Sequence, residues 1–201
     1  MRIGLVPISA KPYHAGHHAL VTAAAQENDR VILFISASDR KRKGEFPILG
    51  TDMREIWSRH LEPALPNNVV TVYGGSPVRK VYEELEKANT VASEDTYTVY
   101  SDPIDTARNY SEPALQKYCG NLRSSGQCLL AAEENPSAFT RGVGTPNISG
   151  TAVREMLRAG DFDSFASIMP PGVDAQAIFD ILTQRTNEAW LRHYIQSLIR
   201  G

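Results

Sequence analysis

Two short strings in this 201-residue chain place residue types suited to holding phosphate at the start of expected helices. The first is His14-Ala15-Gly16-His17, preceded by Lys11-Pro12. Two histidines three apart at a helix start can face the same way, and a glycine between them lets a ligand approach the backbone. Amides exposed at such a helix start, together with the helix dipole, favour an anion. The second string is Ile148-Ser149-Gly150-Thr151-Ala152-Val153-Arg154, which follows a loop rich in Gly and Pro. Ser149 and Thr151 can cap the helix or bind phosphate oxygens, Gly150 permits close approach, and the fork of Arg154 lies one turn in, within reach of the same anion. An ordinary helix start would explain the Ser and Thr but not Gly150 or Arg154. His14 and His17 alone would also fit loop positions that need polar side chains; what sets them apart is that they follow a strand and open a helix. His18, on another side of that helix, reads as structural.

These strings need a scaffold, and the apolar pattern supplies one. Arg2 to Ile8 reads as a buried strand ending in the loop Ser9 to Gly16, and from His17 an Ala-rich helix runs to about Asn28-Asp29. Val31 to Ile35 is continuously apolar, as expected of a strand covered on both faces. Ser36 to Gly50 breaks the periodicity and reads as a loop. Thr51 to Leu61 and Val78 to Ala88 read as helices, and Val69 to Tyr73, Tyr97 to Tyr100 and Cys128 to Ala131 as strands three to five. Alternating strand and helix imply right-handed crossovers and an α/β fold: a Rossmann-like parallel sheet flanked by helices on both faces. Beyond about residue 147 the strands stop. Thr151 to Ala159 and Phe162 to Ile168 read as helical, and Asp174 to Arg200 as a long amphipathic stretch carrying Ile178, Leu182, Trp190, Tyr194, Leu198 and Ile199. That last stretch fits packing against the sheet or a subunit interface, so a homo-oligomer is one option. The expected organisation is a single domain over 1–201, with an α/β core over 1–147 and a phosphate-binding helix and helical C-terminal cap over 148–201.

Composition narrows the function classes. The chain is 42% apolar and 22% charged, with 21 basic against 23 acidic residues and a net charge of −2. Those values exclude disorder and a disulfide miniprotein, and they supply no general field for a nucleic acid or an anionic membrane. The two cysteines, Cys119 and Cys128, form neither a C-x-x-C pair nor a zinc pattern. No apolar run approaches a membrane span or a signal segment, so a soluble, cytoplasmic protein is expected, with no nucleic-acid and no membrane partner.

With these strings in place, the chain resembles the H-x-G-H nucleotidyltransferase superfamily (cytidylyltransferase-like), and within it the nicotinamide-mononucleotide adenylyltransferases. The resemblance is carried by Lys11 to His17, similar to P-x-H-x-G-H; by Pro47-Ile48-Leu49-Gly50-Thr51-Asp52-Met53-Arg54; and by Ile148 to Arg154, similar to I-S-[SG]-T-x-[IV]-R. The third form points toward ATP. It departs from the family at Ala10, often a bulky Phe there, and at Lys11, commonly Gln, Asp or Asn. The resemblance implies attack of a substrate phosphate oxygen on the α-phosphorus of a nucleoside triphosphate, expelling pyrophosphate. A phosphate is already ionised at neutral pH, so catalysis is positioning plus charge stabilisation, with no protein nucleophile. His14, His17, Lys11 and Arg154 are the expected catalytic residues. Ser9, Gly16, Ser149, Gly150, Thr151 and Arg141 are the expected nucleotide-binding residues. Magnesium would ride mainly on the phosphates, with ATP as co-substrate and no protein metal site.

Other residues fit a small phosphorylated substrate. Arg40, Lys41 and Lys43, in the basic run Asp39 to Lys43, leave strand two on the ligand side and could fold over a phosphate, although such a run is also an ordinary solvated loop. Asp102 and Asp105 follow strand four on that same side and could bind a hydroxyl or amide, although Ser-Asp-Pro is equally a normal turn. Nicotinamide mononucleotide is the leading acceptor. Alternatives are phosphopantetheine, flavin mononucleotide, a sugar or polyol phosphate with CTP, and, from another class, a nucleotide-binding sensor without turnover.

Overall fold

The structure is a computed structural model and describes residues 1–184. Its framework runs β1 (Arg2–Ile8), α1 (Ala15–Glu27), β2 (Arg30–Ile35), α2 (Gly50–Ile56), β3 (Val69–Tyr73), α3 (Pro77–Thr90), β4 (Thr96–Val99), α4 (Pro103–Asn109), α5 (Glu112–Ser124), β5 (Cys128–Leu130), α6 (Ala131–Glu134), α7 (Pro136–Phe139), α8 (Gly150–Ala159) and α9 (Phe162–Ser167). A further helical segment covers 175–184. The five strands form one parallel sheet in the order β3-β2-β1-β4-β5, the α/β Rossmann-like arrangement that the alternation of elements implies.

Alternation along the central strands explains why both faces are covered. In β2, Val31, Leu33 and Ile35 pack with Val21 and Ala24 of α1, Met53 of α2 and Val153 of α8 on one face. Ile32 and Phe34 pack with Val81 and Leu85 of α3 and Leu115 and Leu122 of α5 on the other. Burying each such side chain contributes on the order of 1.5–3 kcal/mol, so a one-residue slip of β2 would be heavily opposed. Asn28, at the end of α1, is buried; its amide donates to the Ala24 carbonyl and to the Tyr100 hydroxyl, which in turn donates to Glu27. Gly4 leaves room for it, since a Cβ there would stand 3.1 Å from Asn28 Nδ2.

Several sequence expectations are corrected. The first helix begins at Ala15 rather than His17, because His14 caps it. The expected helix Thr51 to Leu61 is α-helical only to Ile56; Trp57–Leu61 is a π-helical turn and Glu62–Ala64 a 3-10 turn, where Pro63 removes an amide donor. The fourth strand is Thr96–Val99, so Tyr100 falls outside it, and Ala131 opens α6 instead of ending the fifth strand. Between residues 101 and 145, four helices occupy ground where none was expected, two of them single turns. The ninth helix ends at Ser167 rather than Ile168. Of the stretch Asp174 to Arg200, residues 175–184 are helical, and Ile178 and Leu182 join the core. Trp190, Tyr194, Leu198 and Ile199 lie outside the described residues. The two thiols, on α5 and β5, are buried and free with their sulfurs 3.5 Å apart. Among the described residues no helix is long and apolar enough to cross a membrane.

Candidate active site

The chain leaves β1 toward β2 on one side of the sheet and reaches β4 on the other, so strand order reverses beside β1. In open α/β sheets ligands bind at the carboxyl ends of strands at such a reversal. A cavity of about 320 Å³ lies there. Pro7, Ile8 and Ser9 from the end of β1 line it, as do His14, Gly16 and His17 from the start of α1 and Ser101 and Asp102 after β4. Its size suits a small molecule.

The two histidines are built into the wall by a chain of rings. Trp57, fully buried in the π-helical turn, meets Tyr13 edge-on at 4.8 Å; Tyr13 stacks on His17 at 5.6 Å; and His17 stacks on His14 at 3.9 Å. The Tyr13 hydroxyl lies 3.3 Å from His18 Nδ1, which gives His18 a structural place. His14 Nδ1 accepts the Gly16 amide at 3.2 Å, so in neutral His14 the ring proton sits on Nε2, a donor. Burial, with the Arg141 charge as a lesser cause, holds His14 down to about 4. Burial pushes His17 well below the ordinary range as well, with the His14 and Arg141 charges adding to it. The pair is therefore neutral at pH 7. His17 Nδ1 is buried without a hydrogen-bond partner among the described residues.

The amides of this helix start do not act as expected. Ala15 N–H donates to the Ile168 carbonyl at 2.8 Å, Gly16 N–H to the His14 ring, and His17 N–H to the His14 carbonyl at 2.9 Å. The first donors of α1 are thus already satisfied within the fold, which corrects the reading of them as exposed anion ligands. Gly16 lines the cavity, and a Cβ there would also stand 3.0 Å from His14 Cε1, so its bareness makes room for the histidine ring as well.

Arg141 also lines the cavity. Its Nη2 pairs with Asp102 Oδ2 at 3.1 Å, while Asp102 Oδ1 caps α4 by accepting the Asp105 amide at 2.9 Å. Asp105 shares the cavity, and burial with the neighbouring Asp102 raises its carboxyl.

Lys11 and Arg154 lie outside the lining; Lys11 reaches the loop after β2, and Arg154 reaches the Lys11 backbone. Lys11 Nζ donates to Ser36 Oγ at 3.0 Å, to Ser38 Oγ at 2.9 Å and to the Ser38 carbonyl, and burial lowers its ammonium. Arg154 is 3% exposed. Its Nη1 donates to the Lys11 carbonyl at 2.9 Å, its Nη2 to Thr151 Oγ1 at 3.0 Å, and its Nε pairs with Glu45 at 3.2 Å. Gly150 makes room for this fork, since a Cβ would stand 3.0 Å from Arg154 Nη1. Ser149 caps α8 by accepting the Ala152 amide. Of the second string only Ile148 lines the cavity; Ser149, Gly150 and Thr151 are not on its wall.

The basic run is likewise folded back. Arg40 holds Glu45 through two hydrogen bonds at 2.7 and 3.0 Å, Lys41 pairs with Asp39 at 2.7 Å, and Asp39 accepts the Gly50 amide at 2.8 Å. Arg40, Lys41 and the exposed Lys43 do not reach the cavity. Sequence reasoning missed Ser76, Pro77 and Val78 at the start of α3, and Asn109, Tyr110 and Phe139. A usable signal existed for the first three: Gly74-Gly75 ends a strand whose carboxyl end faces the same side as that of β1.

No protein-family model and no curated protein matches this chain. Among solved structures, the crystal structure of Thermotoga maritima TmcAL bound with alpha-thio ATP is similar over 93% of this chain and 56% of that one, at 17% identity and a TM-score of 0.44. This chain therefore spans little more than half the length of that protein. What the site does follows from its own side chains.

Proposed function

We propose that the chain is a nucleotidyltransferase that moves AMP from ATP to the phosphate of a small molecule and releases pyrophosphate, with nicotinamide mononucleotide as acceptor and NAD as product. The observation that carries this reading is the stacked, neutral His14–His17 pair beside Arg141 at the strand-order reversal. A displacement at phosphorus between two already ionised partners needs donors and a cation aimed at the phosphates rather than a base. His14 Nε2–H supplies a donor and Arg141 a mobile cation, exchangeable between Asp102 and a phosphate oxygen. Lys11 and Arg154 act here by holding the loop that carries the histidines, with Ser149, Gly150 and Thr151 shaping its far side.

Magnesium, a hard cation that prefers oxygen, would ride mainly on the phosphates; among the described residues no cluster of three or more His, Cys, Asp or Glu side chains could hold it. When bound it would neutralise charge between phosphates.

The test is pyrophosphate release from ATP or CTP across a panel of phosphorylated acceptors. Nicotinamide mononucleotide with ATP is expected to give the fastest release, and His17→Ala and Arg141→Ala each to lower it more than about a hundredfold. No release with any acceptor, beside tight ATP binding, would leave a nucleotide-binding sensor instead.

A further inference from the structure

Cys119 of α5 and Cys128 of β5 take no part in the cavity wall. Both thiols are fully buried and free, 9 positions apart in the chain, with their sulfurs 3.5 Å apart. They sit with Leu115 and Leu122 on the α3–α5 face of the sheet, whereas Tyr13 and Trp57 pack on the other face. The backbone fixes both ends of this pair. Cys119 interrupts α5 with φ −143° and ψ 38°, and Cys128 opens β5 opposite Tyr97 of β4. Between them, Arg123 donates from Nη1 to the Cys128 carbonyl at 3.0 Å. Sulfurs in a disulfide stand about 2 Å apart, so the two side chains have only about 1.5 Å left to close.

β5 is three residues long and ends the sheet, with β4 on one side. A short edge strand has few contacts and opens locally more readily than the centre of a sheet. The turn that leads into it is exposed at Ser125 and Gly126, and Gly126 takes a φ of +75° with open space about it. Opening of this turn is the route by which a small oxidant meets the buried sulfurs.

We propose that Cys119 and Cys128 are a site of reversible oxidation by hydroperoxides, and that the disulfide they form staples α5 to the edge strand of the sheet. The Cys119 thiolate attacks the outer peroxide oxygen; an S–O bond forms, the O–O bond breaks, and the other oxygen leaves as an alcohol, or as water from hydrogen peroxide. The Cys128 sulfur then attacks the Cys119 sulfur; the S–S bond forms, the S–O bond breaks, and water leaves. Two thiols and one hydroperoxide give one disulfide, one alcohol and one water, the sulfurs losing the two electrons that the peroxide gains. Cys119 is the attacking group because the Cys128 thiol donates to its thiolate, with the Arg123 charge as a lesser aid, and this lowers Cys119 in spite of burial. The staple closes an edge whose unpaired backbone otherwise invites pairing with other chains. It is independent of what the cavity binds.

The test exposes the reduced full chain to hydrogen peroxide under native conditions, then denatures it in a maleimide and measures its mass, the chain having just two cysteines. The expected product carries no maleimide, is lighter than the reduced chain by two hydrogens, and yields a peptide joining 119 to 128. It regains both thiols in dithiothreitol and, before reduction, melts at least about 4 °C higher. Urea below the unfolding transition should change the oxidation rate by less than about twofold, since the opening is local. Cys128→Ala should carry Cys119 on to the sulfinic acid with no gain in melting temperature; the wild-type result stands by itself if that variant does not fold. The proposal is overturned if the thiols survive peroxide in the folded chain, if they end as sulfinic acids or in a linked dimer, if urea raises the rate further than twofold, or if the bonded chain gains less in melting temperature.

Discussion

Arg154 Nη1 donates to the carbonyl of Lys11 across 143 positions of sequence, at 2.9 Å and out of contact with solvent. Two residues that look, by type, like ligands for an anion are thereby joined through the backbone of one and the guanidinium of the other. Removing the fork would strand a buried carbonyl and leave Glu45 with one arginine instead of two. Arg154→Met is therefore expected to cost about 3 kcal/mol in urea unfolding, and Arg154→Lys less, since a lysine keeps the charge but not the fork.

Gly150→Ala offers a finer probe of the same joint. Alanine favours the helix by up to about 1 kcal/mol, yet its Cβ would crowd Arg154 Nη1 at 3.0 Å. The two effects oppose each other in stability, which should move by less than about 1 kcal/mol. Pyrophosphate release should fall at least about tenfold, because the loop bearing His14 loses its register. Comparing thermal melting with turnover separates the two.

The depressed histidines fix the direction of a pH dependence. His14 takes up a proton near 4 in the fold and at the ordinary 6.5 when unfolded, so between those values the unfolded chain binds more protons. Stability should fall as pH drops through that window, by about 3 kcal/mol from His14, with His17 adding in the same direction. Melting temperatures from pH 7.5 to 4 check this. His14→Asn, which can still cap α1, should flatten the slope.

Arg141→Gln should raise the His14 titration midpoint toward 6.5, because the Arg141 charge helps depress it. Histidine Cε1 proton shifts followed by NMR would show the movement. A midpoint that stays near its starting value would place Arg141 too far from the pair to share a phosphate with it.

The sheet was legible because β1, β2 and β3 are apolar runs bounded by turn residues, and β2 is covered on both faces. The region between Asp102 and Thr145 was not. Its helices are short, carry Pro at the first turn, and follow one another with almost no spacer, as at Tyr110-Ser111 between α4 and α5. At the site, the spacing of three suggested that His14 and His17 could face the same way, and their rings do stack, although His14 is the extended cap of α1 rather than a residue of it. It could not tell that Lys11 and Arg154 turn away from the cavity, because their partners, Ser36, Ser38 and Glu45, come from a loop whose path depends on Gly50. A Cβ on Gly50 would collide with the Ala37 carbonyl at 2.0 Å, a contact no pattern of hydrophobicity reports.

The hydrogen bond from the Ala15 amide to the Ile168 carbonyl has a consequence for the order of events during synthesis. The sheet and α1 can assemble from the first 130 residues, but the helix start that presents the histidines is closed by a residue made later. A ribosome paused before residue 168 would hold a chain with the scaffold in place and the histidine-bearing loop unfastened. Such a nascent chain should resist protease across the strands while being cut between Ser9 and Gly16.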